Sequence, residues 1–275
     1  MIKAIQIQHD KRIEPTLTLT KEAGFEYVSI GFGSSSVFHE NGWELEILRI
    51  KKLLDDIGLK CALTHLPYHN LTINSDVMDS VMDEAIKRAI KATAMLGADR
   101  TVLHTRTYYL DKGLADNTKS KKDNLLAIRD LIPTAREAGI ILAIENLPNF
   151  KNYPLYPHDH EALLDLFYEL DDQTLGICWD FGHGLMSGNN QVEALTKIGK
   201  NLKATHIHDN FKDDDQHLIP GIGVMDWKCL MPILRKIGYD GPLMLELDYP
   251  NDSTLGAFLK HSYASISRLE ELMNE

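Results

Sequence analysis

Along the chain, short apolar runs alternate with longer stretches in which apolar residues recur every three or four positions. The short runs are "IKAIQIQ" (2–8), "YVSIGF" (27–32), "CALTHL" (61–66), "RTVLHTR" (100–106), "IILAIEN" (140–146), "LGICWDF" (175–181), "KATHIHD" (203–209) and "PLMLELD" (242–248). Each has the length and apolar density of a β-strand. Between them lie helical patterns. Residues 43–58 place Ile47, Ile50, Leu54 and Ile57 on one face and stop at Gly58. Residues 75–97 place Met78, Met82, Ala85 and Ala89 on one face, with Ser75 as the predicted N-cap and Gly97 as the stop. "EAG" at 137–139 and "KIGY" at 236–239 read as further helix ends, each followed at once by a strand.

Eight strands alternating with about eight helices imply a parallel sheet. At 275 residues the economical closure is a (β/α)8 TIM barrel, one domain over residues 1–275. An open doubly wound sheet is the alternative, but no GxGxxG follows the first strand. "GFGSSS" at 31–36 follows a strand without the spacing or the lysine of a phosphate loop.

Composition narrows the picture. Hydrophobic residues at 44% and charged residues at 25% are ordinary for a globular protein. A formal net charge of −11 repels nucleic acid and anionic membranes, so neither is an expected partner. Cys61, Cys178 and Cys229 are widely spaced and form no CxxC pair. They read as reduced, packing thiols of a cytoplasmic protein. The first residues lack a basic segment followed by an apolar one, and no run approaches a membrane span. Homo-oligomerisation is left open.

The chemistry lies at the strand ends, where a barrel carries its active site. His65 ends the third strand, His104 the fourth, Glu145 the fifth, Asp180 the sixth with His183 just beyond, His206 the seventh and Glu246 the eighth. One such residue is ordinarily a structural hydrogen-bonding group. Six consecutive strands ending this way are not, because carboxylates gathered in a semi-buried mouth cost several kcal/mol unless cations compensate. Mixed imidazoles and carboxylates suit Zn²⁺, Mn²⁺ or Fe²⁺ better than Ca²⁺. The segment "HIHDNFKDDDQH" (206–217) then leaves strand seven across the mouth, where Asp215 and His217 can also reach a metal. His206 and His208 share a strand face, so alternation does not choose between them.

In this context "THLPYHNL" (64–71), "VLHT" (102–105), "LAIENLP" (142–148), "GICWDFGH" (176–183), "LKATHIHDN" (202–210), "DQHLIPGIGVMDW" (215–227) and "LMLELD" (243–248) together resemble the xylose-isomerase-like TIM-barrel superfamily. That superfamily includes sugar-phosphate isomerases and epimerases and endonuclease IV. The resemblance implies a one-metal set of Glu145, Asp180, His206 and Glu246, and its register selects His206 over His208. The three-metal set of endonuclease IV also matches, adding His65, His104, His183, Asp215 and His217. The resemblance thus implies one to three divalent ions, Zn, Mn or Mg. The usual Pro-Gly-Glu-Gly loop departs here, reading "PGIG" at 220–223 with Ile222 for Glu.

Two activities follow. The first is a metal-dependent isomerase or epimerase of a small sugar or sugar phosphate, working through an enediolate. Glu145 and Glu246 transfer the proton on opposite faces and His183 hydrogen-bonds the polarised oxygen. Arg106 is a candidate contact for a phosphate or carboxylate, or else a rim salt bridge. Tyr68 and His208 are further substrate-binding candidates, and Tyr68 and Tyr108–Tyr109 are candidate stacking surfaces. The second is a trinuclear phosphodiesterase, which the nine ligands favour and the acidic charge opposes. A third possibility is a non-catalytic barrel with a vestigial site, but no expected ligand is missing.

Overall fold

The computed structural model describes residues 1–33, 36–68, 76–110, 114–151, 153–250 and 254–275, and for Ser36 and residues 76–80 the backbone alone. Eight parallel strands run in order around a barrel: β1 (Lys3–Gln8), β2 (Tyr27–Gly31), β3 (Lys60–His65), β4 (Arg100–Leu103), β5 (Ile141–Glu145), β6 (Leu175–Asp180), β7 (Leu202–His206) and β8 (Leu243–Leu245). The seam closes just past the end of β7, where Ile207 bridges Leu245. There Ile207 N–H donates to Met244 O at 2.8 Å and Glu246 N–H to Ile207 O at 3.2 Å.

Helices cover the outside, as parallel strands buried on both faces require. They are α1 (Ile13–Glu22), α2 (Trp43–Ile57), α3 (Asp76–Met95), α4 (Asn117–Ala138), α5 (His160–Leu170), α6 (Phe181–Met186), α7 (Gln191–Ile198), α8 (Trp227–Lys236) and α9 (Leu255–Asn274). In α2 the expected apolar face turns inward, with Ile47, Ile50 and Leu54 buried, and the helix stops at Gly58, whose φ of 77° suits glycine. The Ser75 cap lies outside the described residues. No helix among the described residues is long and apolar enough to cross a membrane.

Two features position the site. The main core lies between sheet and helices. A smaller apolar cluster fills the barrel interior: Ala4, Leu63, Val102, Ala143, Cys178, Ala204 and Met244. Side chains alternate along a strand, so the next inward residue lies two positions on. Those residues are Gln6, His65, His104, Glu145, Asp180, His206 and Glu246. A polar layer therefore rests on a plug of small and aliphatic side chains. Three strands stop three residues short of their apolar runs: β4 at Leu103, β7 at His206 and β8 at Leu245. Cys61 and Cys178 are buried free thiols, whereas Cys229 is exposed and does not pack.

Candidate metal centre and active site

Glu145 is the hub of the polar layer and is fully buried. Its Oε1 lies 2.8 Å from His206 Nδ1 and 3.4 Å from His183 Nδ1. Its Oε2 lies 3.0 Å from His104 Nε2 and 3.6 Å from His65 Nε2. His206 Nδ1 also sits 2.9 Å from Glu246 Oε2 and 3.7 Å from Asp180 Oδ2. Across the mouth, Asp215 Oδ2 stands 3.2 Å from both His183 Nε2 and His217 Nε2. The nine residues expected as ligands therefore fall into three groups: His65–His104–Glu145, Glu145–Asp180–His206–Glu246, and His183–Asp215–His217 joined by His208. Within each group the ligand atoms lie within 4.8 Å of one another.

The ring tautomers test whether a cation fits. His65 Nδ1–H donates to Leu66 O at 2.8 Å, His183 Nδ1–H to Asn146 O at 2.9 Å and His217 Nδ1–H to Glu246 O at 3.0 Å. Each neutral ring then turns a bare Nε2 lone pair inward. His65 Nε2 meets His104 Nε2 at 3.1 Å, and two other lone pairs meet one carboxylate oxygen. Lone pairs and anions converge only when protons or a metal ion lie between them. Metal-bound histidines typically donate their outer N–H to a carbonyl, as these three do. Glu145 Oε2, His206 Nε2 and Asp215 Oδ1 are buried without a hydrogen-bonding partner. The donor set fits a divalent cation.

The electrostatics record the same convergence. Burial alone would raise the Glu145 carboxyl, but His206 and His104 hold it well below its ordinary value. Glu246 is likewise lowered against burial, by His206 and His217. Burial would lower His217, yet Asp215 and Glu246 push it up to about 10. His183 and His206 are raised despite burial, whereas for His104 burial dominates and the ring is lowered. Without metal, protons hold the carboxylates together.

Above the layer opens a cavity of about 870 Å³. His65, His104, His183, Asp215, His217 and Glu246 line it, whereas Glu145, Asp180 and His206 lie beneath its surface. Tyr68 lines the cavity too, its ring 5.1 Å from His104. Arg106 is placed otherwise. Its guanidinium pairs with Asp83 of α3, and it is not part of the cavity lining. This is the salt-bridge arrangement, one of the two alternatives for Arg106. His208 is also absent from the cavity lining: fully buried, its Nε2 lies 3.1 Å from Asp180 Oδ1. Tyr108 packs under Lys119, and Tyr109 donates to Pro154 O.

Several contributors carry no ionisable strand-end signal. Gln6 Nε2–H donates to Glu246 Oε1 at 2.6 Å, and Ser29 Oγ–H reaches Gln6 Oε1 at 3.4 Å. Asn146 exchanges two hydrogen bonds with the Asp180 backbone. Asp209, fully buried, gathers the Gly221, Met225 and Asn210 amides and the Trp227 indole N–H within 3.1 Å. It thereby ties down the loop carrying Asp215 and His217. In "PGIG", a Cβ on Gly223 would overlap Asp209, whereas Ile222 is about half exposed. The loop needs that glycine and tolerates the departure at 222.

Comparison with known proteins agrees with this architecture. Residues 17–267 match the model of a family described as the xylose isomerase-like TIM barrel. The uncharacterized protein MJ1311 of Methanocaldococcus jannaschii is 29% identical over 210 residues, 74% of this chain and 70% of that protein. D-psicose 3-epimerase of Enterocloster bolteae is 27% identical over 133 residues, 48% of this chain and 42% of that enzyme. The crystal structure of a D-psicose 3-epimerase in the presence of D-fructose superposes with a TM-score of 0.78 at 17% identity, covering 100% of both chains.

Proposed function

Because this chain belongs to the xylose isomerase-like TIM barrel family, we propose that it is a divalent-metal-dependent epimerase or isomerase of a keto sugar. The observation that carries the reading is the approach of Glu145 and Glu246 to one atom. They lie 2.8 and 2.9 Å from His206 Nδ1, on β5 and β8. The similarity to sugar 3-epimerases supports the substrate class.

Glu145, Asp180, His206 and Glu246 are the residues that would hold the metal. When bound there, a divalent cation supplies the positive charge that lowers the cost of an enediolate oxygen. The chain's own groups do the rest. Glu246 lines the cavity wall and takes the proton from the carbon beside the carbonyl. Gln6 holds that carboxylate through Oε1, leaving Oε2 toward His206. Glu145, beneath the floor, serves the opposite face. Two-base transfer requires one carboxylate for each face of that carbon. His183, its ring fixed by Nδ1–H on Asn146 O, donates Nε2–H to the substrate oxygen as the imidazolium, the form that Asp180 and Asp215 favour against burial.

The test is deuterium uptake from D₂O at the α-carbon, followed by NMR across a panel of ketoses. Exchange with metal present and its loss after chelation support the reading. No exchange with any ketose overturns it. The second reading, a trinuclear phosphodiesterase, is favoured by the coexistence of three ligand groups in one mouth, two of them sharing Glu145. Hydrolysis of an activated phosphodiester by a protein holding three metals would select it. The −11 charge weighs against DNA as substrate.

A further inference from the structure

We propose that the sugar taken by this site is unphosphorylated, and that Gln8 and Asp248 read its distal hydroxyl groups. This rests on the ketose reading above and extends it to the far end of the substrate. The reacting carbons must sit over the floor, near Glu246, His183 and His217. Anything attached several carbons away lies against the outer lining. Among the described lining residues there is no lysine or arginine. The outer polar groups are Gln8, Tyr68, Asp248 and Tyr249, facing an apolar wall that includes Leu147 and Phe150. The segments outside the described residues (34–35, 69–75, 111–113, 152 and 251–253) contain one cation, Lys112, against Asp111 and Asp252. The arginine most suited to a phosphate, Arg106, is committed to Asp83.

A terminal phosphate carries close to two negative charges at neutral pH. Sites that bind it supply bidentate arginine, lysine or converging backbone N–H groups. This wall supplies a carboxylate instead. A Cβ on Gly31 would lie 2.7 Å from Gln8 Oε1, so that glycine makes room for the Gln8 amide. Gln8 and Asp248 both line the cavity, each four residues beyond a member of the Ala4–Met244 pair of β1 and β8. An amide and a carboxylate in one lining offer two N–H donors and several acceptors. That set matches the hydroxyls of a free sugar, which donate and accept, and it repels an anion. Selectivity here comes from repulsion as much as from attraction.

The experiment measures metal-loaded protein with ketoses and their 1- and 6-phosphates in pairs, scoring α-hydrogen exchange in D₂O. The expected result is a kcat/KM for the free ketose at least ~100-fold above that for its phosphate. Gln8→Ala and Asp248→Ala should raise KM for the free ketose about tenfold, with a smaller effect on kcat. Asp248→Asn should narrow the gap between sugar and phosphate by removing the repelling charge. Thermal melts establish that the variants are folded. Preference for the phosphorylated member of a pair, or an unmoved KM in both alanine variants, overturns this inference and leaves the epimerase reading intact. Exchange with neither member overturns both.

Discussion

His208 holds Asp180 by both oxygens: its Nε2 lies 3.1 Å from Oδ1 and 3.2 Å from Oδ2, and its ring is stacked on His217 at 4.0 Å. One buried imidazole thus supports a carboxylate of one ligand group and packs on a histidine of another. The space for it comes from Gly182, where a Cβ would overlap the ring.

Gly182→Ala should therefore weaken metal binding without altering any ligand. Loss of outer support typically costs about 10–100-fold in metal affinity. Overpacking adds ~1–3 kcal/mol of destabilisation. Competition against a chelator of known affinity, with a melt of the metal-free variant, separates the two. Unchanged affinity in a folded variant would show that Asp180 does not depend on His208.

The two glutamates should separate when each is changed to glutamine. Glu246→Gln removes the basic carboxylate facing the cavity and should lower α-hydrogen exchange by on the order of 10²–10⁴ while the protein still takes up metal. Glu145→Gln should lower both exchange and metal retention, since Glu145 belongs to two ligand groups. Metal analysis beside the exchange assay decides this. Both variants exchanging at the wild-type rate with metal bound would end the two-glutamate mechanism.

Asp209→Ala should loosen the mouth loop. Its carboxylate accepts from Gly221 N, Met225 N, Asn210 N and the Trp227 indole. Each buried donor left unpaired costs ~1–3 kcal/mol, so urea unfolding should register a loss of at least about 3 kcal/mol. The carboxamide of Asp209→Asn keeps one acceptor and should recover part of it. A loss under about 1 kcal/mol would mean that water replaces the carboxylate.

These outcomes draw on residues that the sequence revealed unequally. The barrel and six of the nine candidate ligands were legible because an ionisable group closing an apolar strand breaks the pattern of a buried sheet, whereas His183, Asp215 and His217 lie beyond the strand ends and stood out through the family resemblance. Gln6 escaped because an uncharged amide in β1 does not, although its position two beyond Ala4 places it in the same layer. Asp209 escaped although it closes the seventh apolar run, because the Asn and Asp residues that follow read as ordinary turn chemistry, and only the four donors around it reveal its role. His206 and His208 share strand parity, but β7 ends at His206, and beyond it the chain turns the two rings to different carboxylates. The same limit governs Arg106: β4 ends at Leu103, so alternation could not say that its guanidinium faces α3.

The response to pH should reverse when metal is bound. In the metal-free protein His217 is raised from an ordinary 6.5 to about 10. A raised base contributes stability that is fully present below about 6.5 and disappears as pH climbs through the folded value. Glu246 and Asp215 are lowered, so their contribution is present above the ordinary carboxylate range and fades as pH falls. Metal-free protein should melt highest between about pH 4.5 and 6.5 and decline toward pH 10. Metal binding requires neutral rings, so it releases those protons and tightens by about tenfold per pH unit for each one. The gap in melting temperature between loaded and metal-free protein should therefore widen from pH 6.5 to 9. Melts of dialysed protein with and without excess divalent ion measure it. A gap that stays constant or narrows would mean that the cation does not displace the protons now shared by His217, His183 and Asp215, and the third ligand group would lose its role.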